Sequence, residues 1–388
     1  MTWLETKFKG DRIIWLIVAL LSFISVLAVY SSTGTLAYKY QSGNTEHYIF
    51  RHGSYLLFGI GLMYFFHRLP YTIYARFARL AFFITIPLLI FTLIMGTNIN
   101  DANRWITLPI IGLSFQTSDL AKLSLILYLA RLISKKQDSI TDFKTAFIPI
   151  MIPVIIICAL ILPANFSTAA VLFSTSMVLM FIGRVPLKFI FGLFGAAILL
   201  FGLFIGIAKL TGYEGRISTW GSRIEKFAFS KGSDEGDYQV QQAKIAIATG
   251  GVFGKGPGQS SQRNFLPHPY SDFIFAIIIE EYGLLGGGLV VLLYLLFFYR
   301  AIQIVRRTER AFAAMITVGC AFSLVFQAMI NMAVAVHIFP VTGQPLPMLS
   351  MGGTSILFTS FAIGIVLSVS SEIDKKVTTK KSPEVALA

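Results

Sequence analysis

The chain has 388 residues, 55% of them hydrophobic and only 13% charged, with a mean hydropathy of +0.72. That leaves too little polar surface to coat a soluble domain and marks a polytopic membrane protein. The formal charge of +13 follows membrane topology and not nucleic-acid binding, because Lys and Arg are scattered over short gaps between apolar runs instead of forming one basic domain.

At the N-terminus Lys7, Lys9 and Arg12 precede an apolar run to about Tyr30. It is too long for a signal-peptide core and lacks a small-x-small cleavage site, so it reads as a retained first span. Taking about 20 apolar residues per crossing, the candidate spans are 12–31, 50–67, 75–96, 115–134, 145–162, 167–183, 187–209, 272–299, 311–337 and 352–371. The sequence thus predicts one all-α membrane domain over 1–388 with about ten transmembrane helices. A large extracytoplasmic loop, 210–271, precedes helix 8, and a cytoplasmic tail occupies 372–388. With both termini inside, most basic residues outside the long loop fall on the inner face, and long translocated loops are largely exempt from the charge rule. Cys158 and Cys320 lie inside apolar runs, where cysteine is a small buried hydrophobe and no disulfide framework is expected.

The unusual sequence gathers on the outer side: GTNINDANRW (96–105), PANFST (163–168), the 210–271 segment and PVTGQPLPMLSMGGTS (340–355). Non-helical backbone at membrane depth is tolerated where protein or a water-filled cavity covers it, which places the working site on the outer face. No internal repeat is visible at the level of motif, so the inverted-repeat signature of many transporters is missing.

Ionisable residues inside spans are functional hypotheses by default. Asp119 and Lys122 stand three apart on the fourth span and share a face, either as a self-neutralising pair or as the charged wall of a cavity. Gln327 and Asn331 are four apart on the ninth span, where helix-to-helix hydrogen bonding is the expected role, with His337 further out as a structural residue. In LPHPYSDFIFAIIIEEYG (266–283), Pro267 and Pro269 stop any helix from running through them. Ser271 is then a good N-cap, and Asp272 falls in the first helical turn, where an acid complements the helix dipole. Glu280 lies eight residues on, about 12 Å along the axis at 1.5 Å per residue. At that depth Glu280 and Glu281 need basic or hydrogen-bonding partners and read as buried structural or coupling groups. Upstream, GGVFGKG with Lys255 and Arg263 does not fit P-loop spacing and has no preceding strand. It reads as a flexible, cationic outer loop suited to a lipid pyrophosphate headgroup.

These motifs resemble the SEDS family (shape, elongation, division and sporulation), the FtsW, RodA and SpoVE group. The resemblance rests on PVTGQPLPMLSMGGTS, YQVQQAKIAIATGGVFGKGPGQS, LPHPYSDFIFAIIIEEYG, Arg104–Trp105 and QTSDLAK (116–122), in order over almost the whole chain. It departs from the family pattern in three places. The usual QPSE-x-x-K stands as Gln116, Thr117, Ser118, Asp119 and Lys122, PDLGT stands as ANFST with Asn165, and LPE stands as LPH with His268. A role needing a carboxylate at 165 or 268 is therefore not carried over. Asp272 matches the acid that the family treats as essential, and the LPHPYSDFIFAIIIEEYG stretch is closest to division-type members.

The resemblance implies a peptidoglycan glycosyltransferase that polymerises lipid II on the outer face of the cytoplasmic membrane. It also implies a class B penicillin-binding protein as transpeptidase partner, alongside other division proteins. Asp272 would be the general base; Arg104, Lys122, Arg216, Arg223, Lys255, Arg263, His268 and Ser271 would line the pyrophosphate and sugar subsites. Asp119, Gln242, Glu280, Glu281, Asn331, Thr342 and Ser350 would be supporting polar groups. No cofactor is evident, and the chemistry leaves room for a divalent cation, Mg or Mn. Two rival classes stay open: a lipid flippase with Asp119, Lys122, Glu280 and Glu281 as a charged path, and a non-catalytic division scaffold that has no need of Asp272.

Overall fold

The computed structural model describes residues 9–34, 36, 44–99, 102–107, 114–210 and 235–385. Arg216 and Arg223 lie outside the described residues. The helices are α1 (Arg12–Ser32), α2 (Thr45–Arg68), α3 (Tyr71–Met95), α4 (Thr117–Lys135), α5 (Ile148–Ile161), α6 (Phe166–Ile182), α7 (Leu187–Leu210), α8 (Glu235–Gly250), α9 (Ile274–Arg306), α10 (Ala311–Ala335) and α11 (Thr354–Val385). Each predicted apolar segment holds one of them. Three differences stand out. The long segment before the eighth span contains α8, and α11 runs on to Val385 through what the sequence suggests is a tail. The GTNINDANRW stretch contributes two strands of a small antiparallel sheet, β1 (Thr97–Ile99), β2 (Ala102–Thr107) and β3 (Ser114–Gln116), with Trp105 paired to Gln116.

Among the described residues, six helical stretches are long and apolar enough to cross a membrane: α1, α3, Phe143–Ile161, α9, α10 and Thr354–Asp374. Phe166–Ile182 and Leu187–Leu203 are shorter apolar helices. Large apolar side chains such as Leu57, Phe65, Ile94 and Leu199 are exposed on the bundle surface. Patches of this kind are ruinous in water and natural against lipid.

The interior is built around α4, whose Leu125, Leu129 and Ile133 recur every four residues and are fully buried. It packs against α3, α5, α6 and α10, while α2 lies along α11 with Phe66 stacked on Phe361. Lipid tails are as apolar as leucine, so helix association here rests on close packing and interhelical hydrogen bonds. Truncating such a residue to Ala costs about 2–5 kcal/mol through the void it leaves. Asp11 caps α1 by accepting from the N–H groups of Ile13 (2.9 Å) and Ile14 (3.2 Å). Its other oxygen takes two hydrogen bonds from Arg300, Nε at 2.9 Å and Nη2 at 2.6 Å, which ties the start of α1 to α9.

Candidate active site

Asp272 is held by backbone, not by a helix cap. Residues 269–273 form a turn, α9 begins at Ile274, and the cap position belongs to Phe273 without a side-chain hydrogen bond. This corrects the expectation that Ser271 caps the helix and Asp272 sits in its first turn. The hydroxyl of Ser271 instead donates to Asp272 Oδ1 at 2.9 Å. Three further bonds fasten the turn. Asn331 Nδ2 donates to the Asp272 carbonyl at 2.9 Å, Ser350 Oγ to the Ser271 carbonyl at 2.6 Å, and the Met351 N–H to the Tyr270 carbonyl at 2.9 Å.

Those bonds lay the 340–351 segment directly against the carboxylate. Gly343, with φ +63°, passes so close that a Cβ there would stand 3.7 Å from Asp272 Oδ2. Asn331 Nδ2 reaches the Gln344 carbonyl at 2.7 Å, and the Gln344 side chain donates to Thr168 Oγ1 at 2.7 Å near the start of α6. Asn165 caps α6, accepting from the Thr168 N–H at 3.2 Å. Asn and Asp cap helices about equally well, so Asn165 makes here the cap that an aspartate would make.

Asp119 and Lys122 form both of the arrangements left open by their spacing. Lys122 Nζ lies 2.8 Å from Asp119 Oδ1 within α4 and donates across to Gln327 Oε1 on α10 at 3.0 Å. The pair also lines a cavity of about 40 Å³ with Ser323, Gln327, Ser355 and Thr359. Gln327 Nε2 then donates to the Pro345 carbonyl at 2.9 Å. Gln327 thus makes the helix-to-helix bond its position suggests, to Lys122, while the amide N–H groups of both Gln327 and Asn331 also reach the 340–351 segment, whose irregular backbone leaves carbonyls without helical donors. A chain of polar contacts therefore runs from α4 through Gln327 and Asn331 to the Asp272 turn.

The opposite flank is set by a break in α9. Gly283 adopts φ 69° and ψ −171°, which divides the helix into 274–282 and 284–306. The loop after α8 takes up the backbone groups freed there: Lys255 N–H donates to the Glu280 carbonyl (2.9 Å) and Gly256 N–H to that of Glu281 (3.0 Å). In the other direction Leu284 N–H donates to the Gly251 carbonyl (2.9 Å) and Leu285 N–H to that of Val252 (3.3 Å). The approach is too close for a side chain, since a Cβ on Gly254 would lie 2.2 Å from the Glu281 carbonyl oxygen and one on Gly283 2.1 Å from that of Val252. GGVFGKG is thus a packed backbone-to-backbone joint, where the glycines of the sequence suggest a flexible loop.

The two glutamates have the partners their depth requires. Glu280, fully buried, accepts from Lys255 Nζ (2.6 Å), from the N–H (3.1 Å) and Oγ (2.9 Å) of Ser261, from Gln262 N–H (3.3 Å) and from Ser260 Oγ. Glu281 accepts from Ser31 Oγ and from Ser260 N–H at 3.4 Å. Arg263 Nη1 reaches the Ser31 carbonyl at 3.1 Å and its hydroxyl at 3.2 Å.

Of the other predicted site residues, Arg104 donates from Nε to the Ala164 carbonyl at 2.8 Å, joining β2 to the α5–α6 turn. His268 is exposed, with its ring edge-on to Tyr270 at 6.2 Å. Gln242 on α8 and Thr342 are half-buried. Contacts that the sequence does not flag are made by Ser31, Ser260, Gln344 and Thr168. Gln344 stands inside a quoted motif, whereas Ser31 is 250 residues from Glu281 and carries no local signal.

The family model described as "Cell cycle protein", covering FtsW, RodA and SpoVE, matches residues 11–375. The chain is 32% identical over 379 residues to stage V sporulation protein E of Bacillus subtilis (strain 168), covering 94% of this chain and 98% of that protein. It is 33% identical over 368 residues to the probable peptidoglycan glycosyltransferase FtsW of Coxiella burnetii (strain RSA 493 / Nine Mile phase I), covering 93% and 96%. Two solved structures share the fold at 23% identity. One is a chain of a peptidoglycan synthase complex (TM-score 0.75, covering 96% of this chain and 99% of that one), and the other is rod shape determining protein RodA of Thermus thermophilus (TM-score 0.67, covering 95% and 97%). The fold and the site define a multi-pass membrane protein with a carboxylate mounted where irregular segments meet. The chain belongs to the FtsW/RodA/SpoVE family.

Proposed function

We propose that the protein is a peptidoglycan glycosyltransferase that polymerises lipid II into β-1,4-linked glycan on the outer face of the cytoplasmic membrane, with both termini inside. The observation that carries this reading is the mounting of Asp272. Four bonds to or within its turn and the bare Gly343 hold one carboxylate against an irregular segment, in a chain whose relatives are named as peptidoglycan glycosyltransferases.

In the proposed step the 4-hydroxyl of one lipid-linked disaccharide attacks the anomeric carbon of a lipid-pyrophosphate glycan. The new C–O bond forms with inversion, the bond to pyrophosphate breaks, and polyprenyl pyrophosphate leaves with that electron pair. Asp272 accepts the hydroxyl proton, for which a base within hydrogen-bond reach is worth roughly 10²–10⁴-fold. Cations must face the departing pyrophosphate. Lys122 and Arg104 are engaged by protein partners at 3.0 and 2.8 Å and would exchange or share them on binding. A divalent cation, Mg or Mn, would enter on the substrate's pyrophosphate, as such ions do where a phosphate supplies most of the ligands.

A class B penicillin-binding protein is the proposed transpeptidase partner and cell division the proposed setting. Support comes from the shared fold with a chain of a complex described as coordinating polymerization and crosslinking. The test is conversion of lipid II to polymer by purified protein with its partner. Asp272→Asn is expected to abolish polymer while the protein stays folded. Undiminished polymer from that variant would remove the catalytic assignment. Lipid movement across the bilayer without polymer would favour a flippase, and neither activity a scaffold.

A further inference from the structure

We propose that Lys255 and Glu280 are positioning residues that latch the outer piece of α9, and with it Asp272, by locking residues 250–263 into the break at Gly283. The idea rests on the reading of Asp272 given above. The outer piece, 274–282, begins two residues after Asp272 and is far too short to be a stable helix alone, so its orientation is set by what grips it. One grip is the 340–351 segment described above. The other is the 250–263 loop, joined by four backbone hydrogen bonds across the break and by the Glu280 carboxylate.

Glu280 is the pivot of the second grip. Its carboxylate is fully buried, and its donors all come from residues 255–262. Lys255 is the one cation within ion-pair distance of it among the described residues. It also donates to Ser261 Oγ at 3.1 Å, closing the loop on itself. Removing one partner of such a pair leaves an uncompensated buried charge, which opens the joint instead of weakening it slightly. Once the joint is open, the break leaves the outer piece uncoupled from 284–306, so the carboxylate shifts without unfolding the membrane-embedded part. A displacement of about 1 Å at a reacting group costs on the order of 10²-fold in rate. Lys255 is thereby assigned to Glu280 and not to the substrate's pyrophosphate.

The test uses the full chain in lipid nanodiscs with its transpeptidase partner and reads two independent quantities. These are kcat and KM for lipid II, and hydrogen exchange in peptides covering residues 255–256 and 284–285, whose amides close the break. Lys255→Met is expected to lower kcat at least tenfold with KM within twofold and to speed exchange in both peptides, while Lys255→Arg restores at least half of the rate and the protection. Ser261→Ala, which deletes one donor and keeps both charges, is expected to give the same pattern more weakly and serves if Lys255→Met fails to fold. A raised KM with unchanged exchange would make Lys255 a headgroup ligand and overturn the latch; faster exchange with unchanged kcat would overturn its positioning role. Wild-type protein that makes no polymer would sink the proposed function, while the exchange arm still decides the latch.

Discussion

Asn331 spends one amide nitrogen on two carbonyls, that of Asp272 at 2.9 Å and that of Gln344 at 2.7 Å. A single side chain on α10 thereby sets the spacing between the residue that would accept a proton and the segment that faces it. Asn331→Ala is expected to leave both carbonyls short of a donor, at about 1–3 kcal/mol for each one buried. The unfolding midpoint should fall by several degrees and polymer formation at least tenfold. Full activity in a destabilised variant would show that Asn331 supports the fold alone.

Gly343 separates backbone strain from crowding. At φ +63° any L-residue pays roughly 1–2 kcal/mol, and a Cβ at 3.7 Å from Asp272 Oδ2 is an ordinary contact. Gly343→Ala should therefore lose some stability and keep polymerisation within a few fold, whereas Gly343→Leu should crowd the carboxylate and cut kcat at least tenfold. Equal kcat in the two variants would contradict the placement of this turn.

Two glycines of one loop should behave differently. Gly254→Ala drives a Cβ to 2.2 Å from a backbone oxygen that cannot swing away, so the joint with α9 must come apart and the unfolding midpoint fall well below that of the wild type. Gly251→Ala has nothing within 4 Å and only its φ of +54° to contend with. A loss of roughly 1–2 kcal/mol and near-normal yield are expected. Expression and thermal unfolding of the two variants decide the point.

Asp11 both caps α1 and pairs with Arg300, and substitutions can divide these roles. Asp11→Asn keeps a capping oxygen and loses the charge, while Asp11→Ala loses both, the cap alone being worth about 1 kcal/mol. Thermal unfolding should rank wild type above Asp11→Asn above Asp11→Ala. In an Arg300→Met background the step from Asp to Asn should become small. A full-sized Asp-to-Asn effect in that background would show that the ion pair contributes nothing.

The helices were legible because lipid imposes one rule on every span, a run of apolar residues long enough to cross, and that rule needs no partner to be read. The candidate site was legible as motifs: Asp272, Ser350 and Gly343 lie in stretches whose Pro, Gly and polar content breaks that rule, while Asn331 stands out as a polar residue inside an apolar span. What stood together in space was not legible. The depth of Glu280 and Glu281 calls for basic or hydrogen-bonding partners, but nothing local says that Lys255 serves Glu280 or that Ser31, at the far end of α1, serves Glu281. The glycines of GGVFGKG misled for a related reason. Glycine permits both a loose loop and a joint tighter than any side chain allows, and only the second strand of backbone, at Gly283, tells them apart.

The break at Gly283 has a mechanical consequence. The longer piece, 284–306, is roughly 34 Å long at 1.5 Å per residue, close to a hydrocarbon thickness of about 30 Å, so it is long enough to cross a bilayer without residues 274–282. The 250–263 loop is bonded to Glu280 and Glu281 on one side of the break and to Leu284 and Leu285 on the other, so when a thinner or thicker membrane makes that rod tilt the loop carries the tilt to the piece that follows Asp272. Polymerisation in vesicles of different acyl-chain length should thus depend on bilayer thickness in the wild type and lose part of that dependence in Lys255→Met, where the joint is open.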